Sequence, residues 1–351
     1  MSEMKKQITG SGMPVLDDTA YEITQEDGSK ALEIIIKDTK HAYLEHHVLL
    51  GDGLVPASFV MEFFMECGTW FIRNDPKFSG MQLHLTALEN FLVERGTILK
   101  FGGQTTIQVV CTEVEACGSD IKLKMEILAP RINKKGKVLG VKRNAIGTAV
   151  FSEVKPEAPL FTDLVPQEPE YTFYRFPPLN DLEFFEGPDA LFLGRLFQTR
   201  VGETAIAKTD QNTSMHFFDC NGMDAEAMPE DVAFVVSPIG YDAIIQAGVL
   251  FALLKQAHMG LPNHADAVKI YAPLPPSGSF KVFTQFVSGD NDLFICNLIC
   301  IDKTSGKVLA VMEGSGYKNR QITVAEDVHS TKIVNTNFDH LIVDKPADWD
   351  S

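Results

Sequence analysis

His47 opens the run His47-Val48-Leu49-Leu50-Gly51-Asp52-Gly53-Leu54-Val55-Pro56, spaced as HxxxGxxxxP. Imidazole titrates near neutrality, so a positioned His can take a proton at physiological pH. Gly51 and Gly53 permit positive φ and close backbone approach in the turn that follows. Pro56 suits the first turn of a helix, where its missing N–H would have no helical partner. The N–H groups around that turn can hold a carbonyl oxygen as negative charge develops on it. The same residues also read as a loop histidine ahead of a capped helix. His46 competes for the role, but only His47 has three residues between itself and Gly51.

The second constellation is Ser237-Pro238-Ile239-Gly240-Tyr241-Asp242-Ala243-Ile244-Ile245-Gln246. From Asp242 to Leu254 the strongly polar side chains before the final turn are Asp242 and Gln246. Four residues apart, they leave a helix on the same side. A buried carboxyl is costly unless paired or protonated, and the protonated form is a general acid. An Asp that only satisfies backbone donors at a helix start is the alternative. Glu62 and Glu66 share this spacing but sit deeper in their helix. They read as a polar stripe, partly exposed or paired, and not as chemistry.

Two buried helices must position these residues. Pro56 to Ile72 is nearly continuous in apolar side chains, and so is Tyr241 to Leu254. Helices apolar on almost every side are enclosed by other structure. After each come alternating apolar and β-branched runs between Gly and Asp turns, which read as antiparallel strands. The first set is 83–93, 100–112, 120–128 and 145–151; the second is 267–271, 280–287, 292–301 and 311–317. Both sets pass through Gly-Lys-Val-Leu, at 136–139 and 306–309, just before the last strand. The repeated order predicts an internal duplication. Seven prolines between 154 and 189 mark an inter-unit linker. The expected organisation is an N-terminal segment, partly strand, over 1–37, a first unit over 38–153, the linker over 154–189, a second unit over 190–318 and a polar tail over 319–351.

A formal charge of −16 argues against nucleic acid as a partner, because phosphate binding needs a basic face. No run of about 18 apolar residues is present for a membrane span, and residues 1–10 lack the apolar core of a secretory signal, so a cytoplasmic chain is expected. Cys67, Cys111, Cys117, Cys220, Cys296 and Cys300 form no CxxC pair, and buried free thiols are expected in place of disulfides or metal.

HxxxGxxxxP followed by PxxxDxxxQ resembles the dehydratase domains of polyketide synthases, and the segment Leu83 to Val93 resembles the strand after their first helix. The resemblance spans roughly residues 38 to 318. It implies an α+β double hot-dog fold, each unit a long helix wrapped by a curved antiparallel sheet. It implies that His47 takes the α-proton of a β-hydroxyacyl thioester, that Asp242 protonates the departing hydroxyl, and that Gln246 orients Asp242. The N–H near Gly51 would polarise the thioester carbonyl, with Pro56, Pro238 and Gly194 as supporting motif positions. The substrate would arrive on the phosphopantetheine of an acyl carrier protein, with no resident cofactor or metal. Other polyketide or fatty acid synthase components are further expected partners, and a homodimer is compatible with the fold. Two positions depart from the family: Ser237 stands where a His often precedes the Pro, and Leu193 replaces the Tyr of a YGxxF motif.

The same site chemistry also fits double-bond isomerisation of an enoyl thioester, or cyclisation like that of product-template domains. A non-catalytic carrier-binding or assembly module is the alternative of another class. Carrier proteins are usually acidic, so docking on this acidic chain requires a local basic patch. Lys134, Lys135, Lys137, Lys142 and Arg143 form one candidate, unless they are simply a solvated hairpin tip.

Overall fold

The computed structural model describes residues 5–25, 30–37, 41–49, 51–132, 137–164, 171–175, 191–193, 200–207, 215–221, 234–256, 260–274, 280–319, 321–324, 327–330 and 342–343. They belong to two compact units, Met1–Pro156 with Pro229–Pro238, and Glu157–Met228 with Ile239–Ser351. No helix among the described residues is long and apolar enough to cross a membrane.

The first unit is built on helix α1 (Ala57–Asn74). Its strands are β1 (Lys5–Gln7), β2 (Ala20–Thr24), β3 (Lys30–Lys37), β4 (His47–Leu49), β5 (Asp52–Leu54), β6 (His84–Val93), β7 (Ile98–Leu99), β8 (Gln104–Cys117), β9 (Asp120–Ile132) and β10 (Val138–Ser152). The main sheet runs β1-β2-β3-β8-β9-β10-β6, with every neighbour antiparallel. Pro56 holds extended backbone and α1 begins at the next residue, one later than expected. The helix stops at Asp75 because the residue before Pro76 is driven out of helical conformation. Phe59, Phe63 and Phe64 are buried along α1, each worth roughly 2–3 kcal/mol of apolar transfer. Phe64 meets Phe91 of β6 edge to face, with ring centroids 6.3 Å apart. Gly68 lets the helix approach the sheet closely, since a Cβ there would lie 3.0 Å from that of Ala149.

The second unit repeats this plan around helix α3 (Pro238–Gln256), after the single turn α2 (Phe161–Leu164). Its strands are β11 (Tyr171–Arg175), β12 (Leu191–Leu193), β13 (Arg200–Ala207), β14 (Met215–Asn221), β15 (Gly260–Ile270), β16 (Phe280–Gly289), β17 (Leu293–Asp302), β18 (Val308–Asn319), β19 (Gln321–Val324), β20 (Asp327–Ser330) and β21 (Ile342–Val343). Within the unit the sheet order is β15-β18-β17-β16-β14-β13-β11-β21. The duplication is plain in the pairing. After α1 the meander β8-β9-β10 closes on β6, and after α3 the meander β16-β17-β18 closes on β15. Preceding hairpins extend both sheets in the same place, β2-β3 onto β8 and β13-β14 onto β16. This is an α+β double hot-dog.

All eight strands read from the alternation are present, most of them longer than the pattern suggested. Within the span read as linker, α2 forms and β11 pairs with β13 and β21. Strands β19, β20 and β21 lie within the span read as tail. Cys67, Cys296 and Cys300 are buried and in no disulfide, but Cys117 is exposed and Cys111 only half-buried, because both lie toward the open end of β8.

Candidate active site

His47 starts β4, directly after a 3-10 turn over Ala42–His46. The turn is anchored by His41, whose Nδ1 lies 3.1 Å from the Lys37 N–H and 3.0 Å from the Lys37 carbonyl. β4 and β5 form a hairpin with Val48 opposite Gly53 and Leu49 opposite Asp52. Gly51 sits at its tip with φ +82°, a left-handed conformation that costs a side-chain-bearing residue about 1 kcal/mol or more. At Gly53 a Cβ would come within 3.1 Å of Leu44 Cβ, so the second glycine supplies the close approach. Gly51 therefore serves the hairpin, and β5 and Val55-Pro56 separate it from the start of α1.

The hairpin turns the His47 ring inward. His47 is 7% exposed, whereas His46, in the 3-10 turn, is half-buried. Its Nδ1 lies 2.7 Å from the Leu54 carbonyl oxygen. A carbonyl can only accept, so Nδ1 carries the proton and Nε2 carries the lone pair. Burial lowers the His47 pKa to about 4, against the opposing pull of the Leu54 bond. At neutral pH the ring is thus a neutral base of fixed tautomer. β5 is fixed in turn by β7, with Leu54 opposite Ile98, and by the Val55 N–H donating to the Thr97 carbonyl at 3.0 Å.

Asp242 lies in the first turns of α3, four residues after Pro238, which is the first helical residue. Asp242 and Gln246 are both buried, at 6% and 5% exposure. Gln246 Nε2 donates to Asp242 Oδ2 at 2.5 Å, so the pair expected from spacing is joined. Gln246 fixes one carboxyl oxygen. Ser237, directly before α3, is intermediate in burial. Leu193 ends β12, and Gly194 lies outside the described residues.

One group escaped the sequence reading, and two others gain partners that it did not foresee. Tyr317 of β18 is buried against α3, its hydroxyl donating to the Ile245 carbonyl at 3.2 Å and accepting from Ser315 Oγ at 3.1 Å. Burial, chiefly, holds its phenol well above the ordinary pKa. Gly248 makes room for it, since a Cβ there would overlap the Tyr317 hydroxyl. A lone glycine in a bulky helix was the available signal.

Glu62 and Glu66, read from sequence as partly exposed or paired, are fully buried and paired. Backbone donors make this tolerable. Glu62 accepts from the N–H groups of Val235 and Val236 at 2.6 and 3.0 Å, and Glu66 Oε2 from those of Val15 and Leu16 at 3.0 and 3.2 Å. Burial raises both carboxyls, Glu62 to about 7 and Glu66 well above its ordinary value, and they share a hydrogen bond. One carboxyl must hold a proton for that bond to form. Val235 and Val236 lie just before Ser237 and α3, so Glu62 ties residues 235–236 to α1 within the first unit.

The chain matches no protein-family model and no curated protein sequence. Among solved structures it is similar to a trans-AT polyketide synthase dehydratase domain from Brevibacillus brevis, with a TM-score of 0.64 and 14% identity over 86% of this chain and 98% of that one. A CurK dehydratase described as an inactive Asp-to-Asn mutant gives 0.59 and 16%, covering 88% and 99%. A CurJ dehydratase described as an inactive His-to-Phe mutant gives 0.60 and 11%, covering 88% and 97%. At these identities what is shared is the fold, that of polyketide synthase dehydratase domains over most of the chain.

Proposed function

We propose that this protein is a dehydratase that eliminates water from a β-hydroxyacyl thioester carried on an acyl carrier protein, in polyketide or related lipid biosynthesis. The observation that carries this reading is the buried neutral ring of His47, with its Nδ1 proton committed to the Leu54 carbonyl. The buried Asp242–Gln246 pair and the two matched dehydratases inactive after loss of an Asp or a His support it.

In this mechanism Nε2 of His47 removes the α-proton, and the electrons of that C–H bond become the Cα–Cβ double bond. The Cβ–O bond breaks as Asp242, starting protonated, gives its proton to the hydroxyl, which leaves as water. His47 ends as imidazolium and Asp242 as carboxylate, and proton exchange with solvent resets both. A base and an acid with opposite duties suffice for such an elimination. Gln246 keeps the Asp242 carboxyl turned to one oxygen throughout. The substrate arrives on phosphopantetheine, so the chain needs no cofactor of its own.

The test is mass spectrometry of a 3-hydroxyacyl thioester incubated with the protein. Loss of one water, with His47→Ala and Asp242→Asn slower by about 10²–10⁴-fold, is expected. Unchanged mass with a moved double bond would instead identify an isomerase. Carrier binding without turnover by the parent protein would identify an assembly module.

A further inference from the structure

Arg143, one member of the basic cluster expected from sequence, is already neutralised. Its guanidinium pairs with Glu94 at 2.6 Å and with Glu126 at 3.1 Å. Lys134 and Lys135 lie outside the described residues. Lys142 differs from these. Its side chain leaves the opposite face of β10 and, with Arg95, Lys100 and Arg131, lines an open cavity of about 640 Å³ in the first unit. No carboxylate lines this cavity, and none of the four cations has an ion pair among the described residues. The charges crowd one another: Arg95 first and Arg131 second push the Lys142 pKa down. On a chain of net charge −16, four like charges around one opening are electrostatically unfavourable until an anion arrives. Ile98, half exposed, adds an apolar contact to the lining.

The cavity's place in the fold bears on the reaction. Thr97 and Ile98, which line it, are bonded to Val55 and Leu54, and the Leu54 carbonyl holds His47. A partner seated there rests one strand away from the proposed base.

We propose that the Arg95–Lys100–Arg131–Lys142 cavity is the docking surface for the acidic face of the acyl carrier protein that delivers the substrate. This rests on the dehydratase reading above, and charge complementarity selects the occupant. Docking of this kind acts on carrier encounter and affinity, and salt weakens it.

The experiment compares wild type, Arg131→Glu/Lys142→Glu, the milder Arg95→Gln/Lys100→Gln and the distant control Lys77→Glu. Calorimetric titration with a purified holo carrier of net negative charge reads binding directly, at low and high salt. Turnover is read on the same 3-hydroxyacyl group attached to that carrier and to N-acetylcysteamine. Expected is a carrier Kd weakened about tenfold or more in the charge-reversed variant, less in the neutralised one and little in Lys77→Glu. The ratio of kcat/KM on carrier substrate to that on the small thioester should fall in step. Unchanged carrier affinity in both cavity variants, or an equal loss on both substrates, would overturn the docking surface. Equal affinity for a polyglutamate of matched charge would reduce it to a general anion site and also overturn it. If the carrier binds as predicted but neither substrate is turned over, the docking surface stands and the dehydratase reading fails.

Discussion

At the scale of single residues, the chemistry assigned to His47 depends on a bond to a backbone oxygen, which no substitution of a neighbouring side chain removes. With its pKa lowered to about 4, His47 is deprotonated throughout the neutral range. Turnover should therefore be insensitive to His47 titration from pH 7 down to about 5, and fall as pH drops through about 4. A kcat/KM profile whose acid limb lies near the ordinary imidazole value would contradict this tautomer and burial. Gln246 makes a different prediction. Replacing it by Leu removes one hydrogen bond from Asp242, and a bond worth roughly 1.4 kcal/mol in the transition state costs about tenfold in kcat. Single-turnover rates on the small thioester would show it.

At the scale of elements, two glycines make opposite demands. Gly248 is needed for space. Its replacement by Ala should destabilise the second unit by about 2 kcal/mol through overpacking against Tyr317, and Tyr317→Leu in the same chain should recover part of that loss. Gly51 is needed for conformation, since nothing lies within 4 Å of a Cβ there; Gly51→Ala should cost about 1 kcal/mol through φ alone. Urea unfolding measures both. Elements were the most legible level of this sequence. Alternation between turn residues marked every strand of the two meanders, and apolar runs marked α1 and α3, because a sheet with one buried face and an enclosed helix both write periodicity into the chain. Asp242–Gln246 was legible for the same reason. The Leu54 carbonyl was not, because backbone acceptors leave no trace in residue type. Nor were the partners of Glu62, 173 and 174 residues distant. Of the cavity cations only Lys142 was legible, because Arg95 and Lys100 are distant in sequence from Arg131 and Lys142.

At the scale of the molecule, the buried carboxyl pair sets how stability responds to pH. Burial keeps Glu62 protonated in the folded chain up to about pH 7 and holds Glu66 well above its ordinary value, while both would lose the proton near 4.5 when unfolded. Their contribution is present at low pH and is lost as pH rises through these folded values. His47 works the other way, since its contribution is lost as pH falls from 6.5 toward 4. Two carboxyls outweigh one imidazole, so the urea midpoint should be higher at pH 5 than at pH 8. In Glu62→Gln/Glu66→Gln that difference should shrink. Glu62 also bears on how the duplicated gene can be divided. Residues Pro229–Pro238 belong to the first unit although the chain reaches them only after β11–β14 of the second unit. A first half ended at the prolines after Ser152 would lose the Val235 and Val236 donors, leaving Glu62 facing a vacated slot. That first half, expressed alone, should consequently fold poorly, which its urea unfolding transition would show.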